Sequence, residues 1–313
     1  SLYSSGVNNE YLKKIRKSDS NKIVKNLNME VDFREIIGDN PDDINDNKYG
    51  NNNVKGPDAG HGTLVAGVIA ANRNNKIGIN GVAEGVEIMA MRVVPDGDEY
   101  DKDVALAIKY AVDNGANVIN MSFGKAYSPQ KKFVEEAIKY AEKHNVLLVH
   151  AAGNDGVNND SIEHYPTAKF DDGTISNNVL TIGASTFKAD KNFAGFFSNY
   201  GQSVDIFAPG VNIISLLPEN KYTMANGTSF SCPLVTGVAA LVWSFYPELT
   251  ALQLAEIIKK SGTRHSRLKV YCPEKQTPKQ VKIKFAKLCN TGASVNAYKA
   301  LIMAEKFTGS ISK

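Results

Sequence analysis

The chain has 313 residues, of which 42% are hydrophobic and 22% are charged, and its formal net charge is +3. This length and composition allow one large hydrophobic core, while the mixture of acids and bases gives no reason to expect binding to nucleic acid or to a membrane surface. No apolar stretch approaches the roughly 20 residues that a membrane-spanning helix needs.

The first part of the chain is polar and weakly patterned. Residues 1–30 are rich in lysine and predict an exposed helix or tail, and the dense Asp, Asn and Gly of residues 38–58 predict a loop. Residues 39–46 could hold a structural calcium ion, but they do not follow the EF-hand spacing, and a solvated turn is the simpler interpretation. We expect a polar N-terminal segment over 1–53 and a folded domain over 54–313.

Strands and helices are predicted to alternate through the rest of the chain. Hydrophobic runs predict buried strands at 87–94, 116–121, 146–151 and 178–184. Helical patterns predict helices at 103–114, 131–144, 229–243, 251–261 and 295–306. This alternation indicates an α/β fold, a three-layer sandwich with a mostly parallel central sheet. In such sheets the functional residues gather at the carboxyl ends of the strands.

Three short segments have residue types suited to catalysis. His61 lies between two glycines at the start of a small-residue helix, where its imidazole would be accessible to a partner. Asn154 follows a strand in a glycine-bounded turn, where its amide could donate to an oxyanion. Ser229 follows a tight turn at the start of an apolar helix, where the helix dipole favours negative charge. Taken singly, each has an ordinary structural explanation: a loop histidine, a turn asparagine and a helix N-cap.

Together and in this order, the three segments resemble the subtilases, the subtilisin-like serine proteases. Gly60-His-Gly-Thr-Leu-Val-Ala-Gly67 looks like the family's histidine motif, with Leu64 where a second histidine is commonest. Ala151-Ala-Gly-Asn154 looks like its oxyanion segment, and Gly227-Thr-Ser-Phe-Ser-Cys-Pro233 looks like its nucleophile motif. Three further segments resemble fixed parts of the family, namely Val118-Ile-Asn-Met-Ser-Phe-Gly124, Tyr165-Pro166 and Phe207-Ala-Pro-Gly210. The resemblance covers residues 54–246 and implies a subtilisin-like peptidase domain.

The resemblance implies a serine endopeptidase that acts on polypeptides without a cofactor. Ser229 would be the nucleophile and His61 its general base. Asn154 and the backbone N–H of Ser229 would bind the oxyanion. A substrate strand would lie along Ser122, Phe123 and Gly124, with its side chains beside Ala152, Gly153 and Pro166. The family also implies a secreted or cell-envelope protein, although the sequence shows no signal peptide.

One part of the triad does not match the family. The aspartate that orients the histidine should end a short hydrophobic strand and precede Ser-Gly or Thr-Gly. Asp32 lies 29 residues before His61, but it has neither the apolar run nor the glycine. We therefore expect that the first strand lies upstream of Ser1 and that the chain is a C-terminal portion of a longer protein.

Several alternatives remain open from the sequence. A peptide-binding pseudoprotease would keep the sheet and lack the aspartate. A nucleotide-binding α/β protein is a remoter option, because no Gly-rich phosphate-binding motif occurs. An acidic cluster lies near the edge along which a substrate would bind. It would favour basic residues in the substrate, or it is simply the acidic start of a helix. The cluster consists of Asp96, Asp98, Glu99, Asp101 and Asp103. The three cysteines do not have metal-type spacing, although Cys272 and Cys289 could pair under oxidising conditions.

Overall fold

The described residues of the computed structural model are 34–94, 97–274 and 281–311, together with Lys13 and Arg16. Two compact units divide the chain, Ser1–Asn52 and Asn53–Lys313. Lys13 and Arg16 are helical and exposed, and the rest of the tail predicted at 1–30 lies outside the described residues.

Residues 34–52 of the first unit consist mostly of turns and loop. A 3₁₀-helix at Glu35–Ile37 is its one regular element among residues 34–52. Arg34 forms an ion pair with Asp39. Side-chain oxygens of the acidic run accept backbone N–H groups: Asp46 Oδ2 accepts from Asn40 at 2.8 Å and Asp43 Oδ1 accepts from Asn45 at 2.9 Å. The predicted loop over 38–58 is confirmed.

The second unit contains six described α-helices, a described 3₁₀-helix at Phe285–Lys287 and ten described strands. The helices are α1 Gly60–Ala70, α2 Asp101–Asp113, α3 Lys131–Lys143, α4 Thr228–Phe245, α5 Ala251–Ser261 and α6 Ala297–Ile311. The strands are β1 Val118–Met121, β2 Leu147–Ala151, β3 Val179–Ser185, β4 Ile206–Pro209, β5 Ile213–Leu217, β6 Lys221–Ala225, β7 Thr263–Arg264, β8 Lys269–Tyr271, β9 Lys282–Lys284 and β10 Ala293–Ser294. The predicted helices agree with these bounds to within a few residues.

Six strands form the central sheet in the order β1-β2-β3-β4-β10-β7. Neighbours from β1 to β10 run parallel, and β7 pairs antiparallel with β10 at one edge. Every residue of β2 is buried, which requires packing on both faces of the sheet. The predicted α/β class with a mostly parallel sheet is confirmed.

Helix α4 lies at the centre of the largest core cluster. Its residues Val235, Val238 and Val242 pack with Leu147 and Ile182 of the sheet. This helix has the length and apolarity to cross a membrane, but two thirds of it is buried inside the fold. Its hydrophobic composition is therefore explained by core packing.

The strand predicted at 87–94 is wrong. These residues have no strand pairing, and apolar side chains along them are exposed, including Ile88 at 49% and Val94 at 43%. A strand needs a neighbour for its backbone hydrogen bonds, and within the described residues the sheet ends at β1. The strand predicted at 116–121 is present as Val118–Met121, but only Met121 is buried, because β1 is the edge strand.

The three cysteines are free thiols. Cys289 is buried beside Thr291 and Ala293, and Cys272 is half-buried near the same hydrophobic cluster. Cys232 is buried in α4, where desolvation raises the pKa of its thiol to about 12. The pairing of Cys272 with Cys289 that the sequence left open is not present.

Candidate active site

Ser229 is the second residue of α4, directly after the turn that ends at Gly227. The first N–H groups of a helix have no partner in a preceding turn, so the N–H of Ser229 points toward a site where negative charge is favoured. Its Oγ is half-buried and lies 3.3 Å from the carbonyl oxygen of Ser122, to which it donates. The structure thus places Ser229 where the sequence predicts.

Asn154 lies at the carboxyl end of β2 and is held against the start of α4. Its Oδ1 accepts from the backbone N–H of Thr228 at 2.8 Å and from Thr228 Oγ1 at 3.0 Å. The backbone N–H of Gly153 also donates to Thr228 Oγ1, at 3.2 Å. Because Oδ1 is occupied, the Nδ2 group of Asn154 is the side that is free to donate to a ligand beside Ser229.

His61 is the second residue of α1, and its side chain is accessible to solvent. Its ring centroid lies 5.9 Å from that of Phe230, the residue after Ser229. Helix α1 is positioned by a small cluster in which Leu64 and Val68 pack with Ile213 and Phe230. The fold therefore brings His61 beside the segment that contains Ser229.

The surrounding protein lowers the pKa of His61. Desolvation is the larger cause, and the negative charge of Asp58 acts in the opposite direction. Asp58 is exposed and accepts the backbone N–H of Gly60 at 2.7 Å, at the start of α1. A lowered pKa leaves the imidazole neutral at pH 7, which is the form that can accept a proton.

A hydrogen-bonded network that was not predicted from the sequence links β1 to α4. Ser122 Oγ donates to the carbonyl oxygen of Ser229 at 2.9 Å and accepts from Asn120 Nδ2 at 2.9 Å. Asn120 Oδ1 in turn accepts from Thr236 Oγ1 at 2.9 Å and from Cys232 Sγ at 3.2 Å. The sequence does contain a signal for this network, because Asn120 and Thr236 are polar residues in an otherwise apolar strand and helix.

The residues predicted to contact substrate lie in two neighbouring segments. Ser122, Phe123 and Gly124 follow β1, and Ala152 and Gly153 follow β2. Because β1 and β2 are adjacent and parallel, the two segments leave the sheet side by side. Pro166 is buried after a cis peptide bond from Tyr165. Main-chain hydrogen bonds connect Tyr165 with Lys125, at 3.0 Å and 2.8 Å.

The acidic cluster is partly used in internal contacts. Asp101 begins α2 and is buried, with Oδ1 2.9 Å from Lys125 Nζ and 2.7 Å from Ser128 Oγ. Lys125 Nζ also donates to the carbonyl oxygen of Glu99 at 2.6 Å. Asp98 is exposed, whereas Asp96 lies outside the described residues. Asp101 therefore acts as a structural partner of Lys125 at the start of a helix.

Candidate ligands for a metal ion are scattered over the part of the chain that the structure describes. No group of three or more His, Cys, Asp and Glu side chains comes together there in a way that could hold a metal ion. Asp32, the alternative triad acid, lies outside the described residues.

Comparison with known proteins identifies the family of this chain. The model of the subtilase family matches residues 15–281. The chain is 38% identical over 213 residues to subtilisin BL of Lederbergia lenta, covering 68% of this chain and 73% of that protein. It is 35% identical over 255 residues to a cell wall-associated protease of Bacillus subtilis (strain 168), covering 81% of this chain and 27% of that protein. The chain thus spans between about a quarter and three quarters of the length of these two relatives.

A solved structure gives the same result. The Prenylagaramide maturation protease PagA superposes with a TM-score of 0.59 at 27% identity, over 79% of this chain and 84% of that one. The family match over residues 15–281 and the identity with subtilisin BL lead to one conclusion: this chain belongs to the subtilase family of subtilisin-like serine proteases.

Proposed function

We propose that this protein is a serine endopeptidase in which Ser229 attacks the scissile carbonyl and His61 removes its proton. His61 would then protonate the leaving amine. Asn154 Nδ2 and the backbone N–H of Ser229 would stabilise the tetrahedral oxyanion. The observation that supports this most directly is the double hydrogen bond from Thr228 to Asn154 Oδ1, which fixes the amide donor one residue from the nucleophile.

The substrate would bind as an added strand. The backbone of Ser122, Phe123 and Gly124 leaves the edge strand β1, and the facing edge would be the segment near Asp98 and Tyr100. Main-chain pairing of this kind supplies affinity that does not depend on the substrate sequence, and the pockets between strands supply specificity. The ligand that this geometry suits is therefore an extended polypeptide.

Labelling of Ser229 tests the proposal. A serine-directed phosphonate should modify the protein expressed from its complete gene, and mass spectrometry should locate the adduct at Ser229. Ser229→Ala should abolish both labelling and peptide hydrolysis, and Ser244→Ala, at an exposed serine near the end of the same helix, serves as the control. Absence of labelling in a folded protein would contradict the proposal.

We propose further that the third member of the triad belongs to a strand that pairs along the edge of β1, which has no partner strand among the described residues. Val118 and Ile119 of this edge are only half-buried, and Ile88 and Val94 in the unpaired segment 86–94 are exposed. A strand packed there would cover these groups and place its carboxyl end near those of β1 and β2. In this proposal the strand lies upstream of Ser1.

Two variants separate the candidates for this carboxylate. In subtilisin, loss of the triad aspartate costs about 10⁴ in kcat. We expect that Asp32→Asn leaves activity of the complete protein unchanged and that residues 1–313 alone hydrolyse peptides poorly. Strong phosphonate labelling of residues 1–313, abolished by Asp32→Asn, would instead assign the role to Asp32.

A peptide-binding protein without turnover is the second candidate. It is favoured by one observation: Ser229 Oγ donates to the carbonyl oxygen of Ser122 rather than to His61. Binding of peptides by the complete protein, with no hydrolysis and no phosphonate adduct, would support this alternative over the endopeptidase.

The relatives of this chain suggest a proposal about where the protein is located. One of them is named a cell wall-associated protease, and we propose that this protein is likewise secreted or held in the cell envelope. Immunoblotting of culture medium, envelope and cytoplasmic fractions tests this, and recovery in the cytoplasmic fraction alone would contradict it.

A further inference from the structure

His164 is held beside the substrate segment by main-chain hydrogen bonds. The next residue, Tyr165, accepts the N–H of Lys125 at 3.0 Å and donates to its carbonyl oxygen at 2.8 Å, as an isolated antiparallel bridge. Lys125 directly follows the segment of Ser122, Phe123 and Gly124. The position of His164 is thus fixed relative to the backbone along which a substrate strand would lie.

The imidazole of His164 occupies the space between two glycines on opposite segments. A methyl group placed on Gly124 would collide with His164 Nε2, and one placed on Gly153 would lie 3.0 Å from the same atom. Two glycines facing each other leave room for a side chain to enter from the substrate. Here that room ends at the ring of His164.

A second histidine stands next to the ring of His164. The ring of His150 stacks on that of His164 with centroids 5.8 Å apart and planes 23° from parallel. His150 is 1% exposed, and its Nε2 is hydrogen-bonded to the carbonyl oxygen of Phe123 at 3.0 Å. Because interiors are close-packed, His164 has no free volume on that side into which it could withdraw.

We call the space between Gly124 and Gly153, which ends at His164, the pocket. Its side next to Gly153 is polar. Asn199 is fully buried, and its Oδ1 accepts the backbone N–H groups of Asp155 and Val157 at 2.9 Å and 3.3 Å. Its Nδ2 has no hydrogen-bond partner and lies against Gly153, on the same side as His164 Nε2. A short polar side chain such as Ser could accept a hydrogen bond from this buried donor, whereas a large apolar side chain would leave it unsatisfied.

We propose that His164 closes the pocket for the residue before the scissile bond and restricts this protein to short side chains, namely Gly, Ala and Ser. This inference rests on the proposed function and adds the substrate class to it. Leu, Phe and Tyr at that position are excluded because the imidazole occupies the volume that their side chains need. His164 is a specificity-determining residue in this proposal, and it takes no part in the proton transfers.

The test compares peptides that differ only in this residue. Hydrolysis of two matched substrates, with Ala or Phe before the scissile bond, is measured for the complete protein and for His164→Gly and His164→Ala. We expect the wild-type protein to prefer Ala. Each variant should raise the Phe/Ala ratio of kcat/KM at least tenfold. Space for a single methylene group in a substrate pocket already changes the ratio of kcat/KM between two substrates by about 10–200-fold. His144→Ala, in which an exposed histidine at the end of α3 is removed, should leave the ratio unchanged.

A binding measurement separates this inference from the proposed function. Peptides that end in Ala or Phe are titrated into Ser229→Ala, with His164 present or replaced by Gly, and thermal unfolding checks that each variant is folded. The preference for Ala over Phe peptides could reverse when His164 is replaced while neither the wild-type protein nor any variant hydrolyses peptides. That result would support the role of His164 and contradict the endopeptidase. Turnover with a Phe/Ala ratio that neither replacement of His164 changes would contradict the role of His164 alone. Neither binding nor turnover would contradict both.

Discussion

At the scale of single residues, Asn154 is the site residue whose role the hydrogen bonds define most sharply. Asn154→Asp keeps an oxygen that can accept from Thr228 but removes the Nδ2 donor. We expect kcat of the active protein to fall by about 10²–10³ or more, the loss that removal of one such donor causes in subtilisin, with little change in KM. Steady-state kinetics measure this.

The control for Asn154→Asp is Asn75→Asp. Asn75 is exposed, and its Oδ1 also accepts a backbone N–H, that of Ile77 at 3.0 Å. The chemical change is the same, but no substrate is expected near it. An unchanged kcat in Asn154→Asp, or an equal loss in Asn75→Asp, would show that Asn154 does not stabilise the oxyanion.

Asp58 affects His61 in a way that kinetics can resolve. Its negative charge raises the pKa of His61, against the larger lowering by desolvation. In Asp58→Asn that pKa should fall further, so His61 becomes neutral at lower pH and the acid limb of the kcat/KM profile shifts to lower pH. The plateau at higher pH should change little, unlike the loss of about 10⁴ that follows removal of a triad aspartate. The exposed Asp172 provides the control Asp172→Asn.

At the scale of elements, the close packing of α1 against β5 positions His61. A methyl group on Gly67 would lie 2.9 Å from Cγ of Leu216 and would also crowd Ser215 Oγ, which donates to the carbonyl oxygen of Leu64 at 2.7 Å. Gly67→Ala should therefore lower the free energy of unfolding by about 1–3 kcal/mol, the usual cost of overpacking. Urea denaturation followed by circular dichroism measures this.

Gly62 in the same helix gives a control of opposite sign. A methyl group there meets nothing within 4 Å. Gly62→Ala should raise the free energy of unfolding by roughly 0.5–1 kcal/mol, because alanine has the higher helix propensity. A stabilised Gly67→Ala would show that α1 does not need this close approach.

The elements also show where sequence patterns succeed and fail. Helices α2, α3 and α5 follow from amphipathic or capping signals, since each has a face toward the core and α5 begins with a capping box at Thr250 and Gln253. The run at 87–94 has the composition of a strand, but backbone pairing depends on a neighbour that a local pattern does not contain. Strand β1 is half-buried for the same reason, because it is the edge strand and a local pattern does not show which strand lies beside it.

At the scale of the whole molecule, buried His150 should make stability depend on pH. Burial lowers the pKa of this imidazole to about 3, whereas in the unfolded chain it is near 6.5. Below pH 6.5 the unfolded state therefore binds a proton that the folded state does not. The free energy of unfolding should decrease as the pH falls from 6.5 toward 3, by up to about 1.4 kcal/mol per pH unit from this group.

His150→Gln isolates this contribution. Glutamine retains a donor that can reach the carbonyl oxygen of Phe123 and does not titrate, so the loss of stability between pH 6.5 and 4 should become shallower. His144→Gln, at an exposed histidine, should leave the slope unchanged. Thermal unfolding at a series of pH values measures both variants, and identical slopes for His150→Gln and the wild-type protein would contradict the prediction.

The acidic segment 39–46 gives a prediction about calcium. Asp43 and Asp46 accept backbone N–H groups of the same segment, and Asp39 pairs with Arg34, so these carboxylates already stabilise the turn. We expect no change in the unfolding temperature when EDTA is added to the protein in calcium. A bound ion would raise that temperature by mass action, so a decrease with EDTA would restore the calcium alternative.

The sequence by itself determined the family and the chemical roles that the site residues could play. Gly-His-Gly, Ala-Ala-Gly-Asn and Gly-Thr-Ser are local patterns, and their order along the chain is enough to assign the subtilase family. Local patterns of hydrophobic residues likewise determined most helices, because a helix depends on neighbours within a few residues. The parallel class of the sheet followed from the alternation of strands and helices along the chain.

Only the tertiary structure decided how residues far apart in the chain meet. It shows that Thr228 fixes Asn154 over a separation of 74 residues, that Asn120 connects β1 with Thr236 over 116 residues, and that His164 fills the space between Gly124 and Gly153. It also shows which sheet edge lacks a partner strand among the described residues. These features depend on contacts between elements, whose geometry is set by the packing of the whole core and is not encoded in any one segment.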